Sequence, residues 1–132
     1  MPTGSFGLDE LIMAFSALPL DFTFVDKDDT VRYFSPGKDR IFERSRTILG
    51  RKVQYCHPPK SVHIVNQILV DFKSGAQDQA RFWIQMGPRL IYIVYYALRD
   101  DAGEYMGTLE VTQDATGIKE LEGERRLLEY DN

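Results

Sequence analysis

From Leu8 the apolar positions fall at Leu8, Leu11, Ile12, Phe15 and Leu18. That spacing of three and four makes one face of a helix, and Pro19 ends it. Leu20-Asp21-Phe22-Thr23-Phe24-Val25 then alternates and is β-rich, which predicts a strand. Asp26-Lys27-Asp28-Asp29 is a turn cluster. Thr30-Val31-Arg32-Tyr33-Phe34 supplies a second strand, so the two form a hairpin, and Ser35-Pro36-Gly37 breaks the run.

Residues 38–60 show no long period. Short helical pieces are expected around Asp39–Glu43 and Ser45–Leu49, with Gly50 as a stop. Pro58-Pro59 is a hard break. Ser61 is placed to cap a helix running to about Lys73, with Gly75 just past its end. Gln79–Met86 alternates at Ala80, Phe82, Ile84 and Met86. Arg89–Arg99 is rich in Ile, Val and Tyr, and Tyr105–Asp114 contains Leu109 and Val111. Gly87-Pro88 and Asp100-Asp101-Ala102-Gly103 supply turns, so these three stretches form an antiparallel meander. A last helix is expected over about Thr116–Glu129, with Ile118, Leu121 and Leu128 along one line.

Five strands with helices gathered in the middle and at the ends describe an α+β domain. Its expected architecture is a five-stranded antiparallel sheet, helices packed on one face, and flanking helices at the two ends. The boundaries divide the chain into a loose start at 1–7, a domain at 8–115, and a C-terminal helix at 116–132. A length of 132 residues suits one domain. The formal charge of −4 argues against a general nucleic-acid binder. The longest nearly apolar run, Leu90–Leu98, falls far short of the ~20 residues a membrane helix needs. A single cysteine, Cys56, excludes an internal disulfide framework and a multi-Cys zinc site, and the expected home is the cytoplasm.

Catalytic motifs do not stand out: there is no P-loop, Gly-x-Gly-x-x-Gly, Gly-x-Ser-x-Gly or His-Glu-x-x-His. Asp26, Asp28 and Asp29 lack the Gly and distal Glu of a calcium loop. The expectation is a non-enzyme.

The order of elements, with these lengths, looks like a PAS domain over about residues 8–130. Val111-Thr112-Gln113-Asp114-Ala115-Thr116 resembles the polar ending of the last PAS strand, which joins the sheet to an outgoing signalling helix. Four blocks resemble more narrowly the C-terminal PAS module of DUF438 proteins, which are often associated with a hemerythrin-like domain. They are Leu18-Pro19-Leu20-Asp21-Phe22-Thr23-Phe24-Val25-Asp26, Phe34-Ser35-Pro36-Gly37, Cys56-His57-Pro58-Pro59-Lys60-Ser61-Val62-His63, and Gly107-Thr108-Leu109-Glu110-Val111-Thr112-Gln113-Asp114. The resemblance implies a regulatory sensor or interaction module, other domains in a larger parent chain, and Asp114 and Thr116 as the signalling joint.

Some oxygen-sensing PAS domains hold haem through a histidine near the start of the long middle helix, where His63 sits. At ~100° per residue, Val65, Ile68, Leu69 and Phe72 fall roughly 240–340° from Val62, and His63 falls near 100°. His63 therefore faces away from the apolar side, which counts against haem. A metal at His63, His57 and Cys56 would need more ligands than these supply. The reading of the residues is that Cys56 packs as a small apolar group and His57 caps or lines a loop. The flavin-photosensor motif around a reactive cysteine is absent from Gly50–Pro58. No tightly bound cofactor is expected.

Strand alternation sends Phe82 and Trp83 to opposite faces, and likewise Tyr95 and Tyr96. Large aromatics on the outer face need cover, from the first helix or from a second copy of the chain. Phe24, Phe82, Ile84, Tyr96, Leu109, Val111 and Gln113 are the expected lining of an inner pocket. The leading function is thus a module that binds a small ligand or partner and relays the change through its C-terminal helix. A constitutive homodimerisation domain without ligand, and a haem- or flavin-binding redox or gas sensor, are the alternatives. No nucleic acid and no membrane are expected as partners.

Overall fold

The computed structural model describes residues 3–36 and 41–131. Helix α1 spans Leu8–Ala17, and strands β1 and β2 span Asp21–Asp26 and Val31–Phe34. Two 3₁₀ turns follow, Arg46–Ile48 and Val53–Cys56. Helix α2 spans Pro59–Ser74, strands β3, β4 and β5 span Gln79–Met86, Arg89–Arg99 and Tyr105–Asp114, and α3 spans Thr116–Lys119. The sheet has five strands in the order β2-β1-β5-β4-β3, with every neighbouring pair antiparallel. The last strand of the meander is therefore inserted beside the first strand of the hairpin, at the centre of the sheet.

The hairpin turn is set by Asp26. Its Oδ1 accepts from the backbone N–H groups of Asp28 at 2.9 Å and Thr30 at 3.0 Å, and Asp29 takes a left-handed φ of 67°. At the other end Phe22 and Ser35 exchange two bonds of 2.9 Å, one through the Ser35 hydroxyl. The middle piece expected at Asp39–Glu43 lies partly outside the described residues. The piece at Ser45–Leu49 is a single 3₁₀ turn, its N-cap made by the Ser45 hydroxyl accepting from the Thr47 N–H.

Helix α2 starts two residues before the expected cap. Pro59 occupies the first turn, where a missing N–H costs nothing, and Pro58 is the N-cap. Ser61 accordingly lies inside the first turn. Gly75 ends the helix with φ 83°, a left-handed conformation that glycine adopts freely. Leu69 and Phe72 face the sheet, and Leu69 joins Val25, Val31 and Val53 in the buried core.

Pairing register separates the two faces. Val25 pairs with Thr108, Thr23 with Glu110 and Tyr95 with Glu110, all toward α2; Phe24 pairs with Leu109, Tyr96 with Leu109 and Val94 with Val111, all away from it. On that outer face the Phe15 ring of α1 meets Phe22 at 5.5 Å between centroids. That ring contact joins α1 to the outer face, but no residue of α1 is buried and Leu8, Ile12, Met13 and Leu18 remain exposed, so the sheet leaves most of the apolar stripe open.

The long C-terminal helix is not formed. Helix α3 ends at Lys119, and 120–131 is irregular. Ile118, Leu121 and Leu128 are all exposed. A helix this short is marginal in water unless a packed face stabilises it, and Gly123 takes φ 64°, which interrupts the expected run.

Candidate ligand site

Three spaces meet at the N-terminal half of α2. A narrow, partly open cavity of about 30 Å³ lies between α2 and the sheet, bounded by Val25, Val53, Leu69, Thr108 and Glu110 among others. That is room for about a water molecule or two, so the deep core is close to filled. Beside it an open cleft of about 220 Å³ runs between α2 and strands β3 and β4, walled by Ile64, Val65, Ile68, Phe82, Ile84 and Ile93. A third cleft of about 400 Å³ opens outward over Gln54, Tyr55, Pro59 and Val62. His57 lines all three.

His57 sits there because it caps the second 3₁₀ turn in an extended conformation, just before Pro58 and Pro59 start α2. Its Nδ1 lies 3.0 Å from the Val53 carbonyl oxygen. A carbonyl only accepts, so Nδ1 carries the proton and Nε2 of the neutral ring is left as an acceptor. The preceding residue, Cys56, packs against the core cluster. Burial pushes its thiol pKa up, partly opposed by the Arg44 and Arg51 charges. Both residues therefore do what the sequence suggests: one packs, the other caps.

Under the cleft lies a polar group. Tyr95 is mostly buried, and burial together with the Glu110 charge pushes its phenol well above the ordinary range, with Arg44 opposing. Glu110 Oε1 accepts from Arg44 Nη2 at 3.4 Å and from the Thr112 hydroxyl at 3.4 Å. Among the described residues no donor meets Oε2. Phe82 packs edge-on against Tyr95, at 5.9 Å and 87°.

Of the seven expected pocket residues, only Phe82 and Ile84 line this site. Phe24, Tyr96, Leu109, Val111 and Gln113 belong to the opposite face, as the register shows: Phe24 and Tyr96 both pair with Leu109, next to the inward Glu110. Alternation requires one residue as a phase reference, and the sequence offered apolar residues at both phases of β1, β4 and β5. The residues that do line the site on β4 and β5 are Ile93, Tyr95, Thr108 and Glu110. Thr108, Glu110 and Thr112 repeat at period two, and that polar run is the sequence signal for the inward face of β5.

His63 is exposed on α2, as its helical phase predicts, and so are most of its neighbours on that side. Among the described residues no group of three or more His, Cys, Asp or Glu could hold a metal ion. The Asp114–Thr116 joint is built as a tight local network. Asp114 Oδ1 accepts from the Thr116 N–H at 3.0 Å and from its hydroxyl at 2.6 Å. Arg89 Nε donates to Oδ2 at 3.0 Å, and the Thr116 hydroxyl oxygen accepts from the Leu90 N–H at 2.9 Å. The joint thereby clasps the start of β4 to the end of β5. No helix among the described residues is long and apolar enough to cross a membrane.

A family model described as PAS domain matches residues 11–116. The C-terminal domain of a Streptococcus mutans protein is 32% identical, with a TM-score of 0.81 over 90% of this chain and 96% of that one. The PAS domain of a Colwellia psychrerythraea protein is 16% identical, with a TM-score of 0.61 over 83% of this chain and 98% of that one. The sensor region of a sensor histidine kinase is 21% identical, with a TM-score of 0.50 over 75% of this chain and 40% of that region, so the chain spans well under half of it. No curated protein matches the chain.

Proposed function

The chain belongs to the PAS domain family, matched over 11–116, and from that premise we propose that it is a regulatory sensor module. A small ligand would enter the cleft between α2 and strands β3 and β4 and act by binding two conformations unequally, since only differential affinity moves such an equilibrium. The observation that carries this reading is the cleft itself: about 220 Å³, apolar on both walls, with Tyr95, His57 and Ser61 as its polar groups. Few precisely placed polar groups in an apolar concavity are the usual make-up of a small-molecule site.

The relay we infer runs along β4 and β5, which the Asp114–Thr116 network clasps at the point where the chain leaves the sheet. The narrower assignment, a module of DUF438-type proteins that follows other domains in a parent chain, draws support from the Streptococcus mutans relative, which is itself a C-terminal domain. A non-catalytic role in the cytoplasm, without nucleic acid or membrane as partner, completes the reading.

A thermal-shift screen of small metabolites tests it. Hits on the wild type that vanish in Ile93→Trp, which fills the cleft, are the expected result. A screen without cleft-dependent hits overturns it. One observation favours a second reading, a homodimerisation domain: Leu8, Ile12 and Leu18 of α1 and Trp83 of the outer face are all exposed. Native mass spectrometry at a series of concentrations checks that alternative. The haem alternative has the exposed His63 against it, the flavin alternative has the missing motif around Cys56 against it, and we expect the purified protein to be colourless; a Soret or flavin band at stoichiometric strength reverses this.

A further inference from the structure

The narrow cavity and the cleft over β3 and β4 share four lining residues: His57, Val65, Ile68 and Tyr95. These side chains stand where the two spaces adjoin. Val65 and Ile68 are held on the long helix α2, and Tyr95 is packed in the middle of β4. His57 differs. Among the described residues the one hydrogen bond of its ring runs to Val53, inside its own 3₁₀ turn, and none ties the ring to the sheet or to α2. On its far side lies the third, open cleft of about 400 Å³, which gives the ring somewhere to go. Pro58 and Pro59 restrict the backbone next to it, so the motion available is rotation of the side chain.

We propose that His57 is a door: when it swings toward the outer cleft, the narrow cavity and the 220 Å³ cleft become one pocket for a small, neutral aromatic molecule bearing an O–H or N–H donor. This inference rests on the cleft being a ligand site. The size follows from the combined space, because a cavity of about 150 Å³ holds a benzene ring. The neutrality follows from the Arg44–Glu110 pair, whose charges already offset one another. The donor follows from Glu110. It lines the narrow cavity, both of its described contacts fall on Oε1, and Oε2 meets no donor among the described residues. A carboxylate accepts and does not donate, so a ligand with an O–H or N–H directed inward completes the site and one carrying only an acceptor does not.

The test uses 4-fluorophenol and 4-fluoroanisole, which differ in the donor, with the full chain and fluorine NMR. We expect 4-fluorophenol to bind at least tenfold more tightly, with amide shifts at Thr108, Glu110 and Tyr95. In His57→Ala, folded by its melting curve, the bound phenol should exchange several-fold faster. Equal affinity for the two probes, with shifts confined to Phe82, Ile84 and Ile93, overturns the donor site while leaving the cleft as a ligand site. Unchanged exchange in His57→Ala overturns the door. Failure of both probes to bind overturns the whole inference, and the cleft is then judged separately by the metabolite screen and its Ile93→Trp control.

Discussion

Arg44 Nη2 lies 3.4 Å from Glu110 Oε1, with both side chains less than one-fifth exposed, and so ties the irregular middle of the chain to the central strand 66 residues later. Ion pairs taken out of water gain little over apolar replacements, but removing one partner strands the other. Arg44 approaches from the segment before the first 3₁₀ turn, so the pair also holds Glu110 in place on one side of the narrow cavity.

Glu110→Ala should therefore destabilise the domain by about 2–3 kcal/mol, less than for a fully dry pair because some solvent reaches both groups. The double variant Arg44→Met with Glu110→Leu should recover most of that loss. Urea denaturation of the wild type, Arg44→Met, Glu110→Leu and their double variant measures the coupling; strictly additive losses would show that the two groups do not interact.

Gly107 is a second expected weak point. A Cβ there would sit 2.5 Å from the Val25 carbonyl oxygen and 2.9 Å from the Phe24 ring, and φ is +152°. The carbonyl belongs to the β1–β5 ladder and has little freedom to retreat. Gly107→Ala should cost about 2 kcal/mol or more, read as a lower denaturation midpoint. A loss below about 0.5 kcal/mol, the size of an ordinary surface change, contradicts the close approach.

The Asp114 carboxyl is held down from 3.8 to about 2, first by the Thr116 hydroxyl, then by the Thr116 N–H and Arg89. A depressed folded value means that the network's contribution is complete above the ordinary pKa and is lost as pH falls from about 4 toward 2. The Thr116 amide shift should titrate with a midpoint near the lower end of that window; a midpoint at or above 3.8 refutes the network. Asp114→Ala should speed hydrogen exchange across 115–119 and leave 90–98 and 105–113 nearly unchanged. Equal loosening of the sheet would make Asp114 a core structural residue.

Cys56 should be a slow nucleophile. Its thiol pKa is raised, chiefly by burial, and the thiolate is the reactive form. Iodoacetamide at pH 8 should label it at least tenfold more slowly than free cysteine, and faster in urea. Labelling of the folded protein at the free rate would show an open, activated thiol.

Local chemistry carried far in this chain. The Leu8–Leu18 stripe, the Asp26–Asp29 turn, the proline break before α2, Gly75 and the period-two runs of β3–β5 each act through neighbours within a few residues, and every one is read from the chain itself. So is the outward direction of His63, because helical phase needs no partner. Three features needed the tertiary structure. The order β2-β1-β5-β4-β3 depends on a pairing of β1 with β5 that lies some 85 residues away in sequence, and propensity says nothing of long-range partners. The face of each strand depends on where α2 docks, since β1, β4 and β5 carry bulky residues at both phases; Phe24, Tyr96, Leu109, Val111 and Gln113 went to the far side for that reason. The end of α3 at Lys119 depends on packing that a short amphipathic segment cannot supply to itself. Apart from the C-terminal segment, the sequence by itself determined which segments are helix, strand and turn, because those choices are settled by nearest neighbours. Only the folded chain decided that His57, Tyr95, Arg44 and Glu110 share one site, because contacts between distant segments are chosen by competition among all the surfaces that could bury one another.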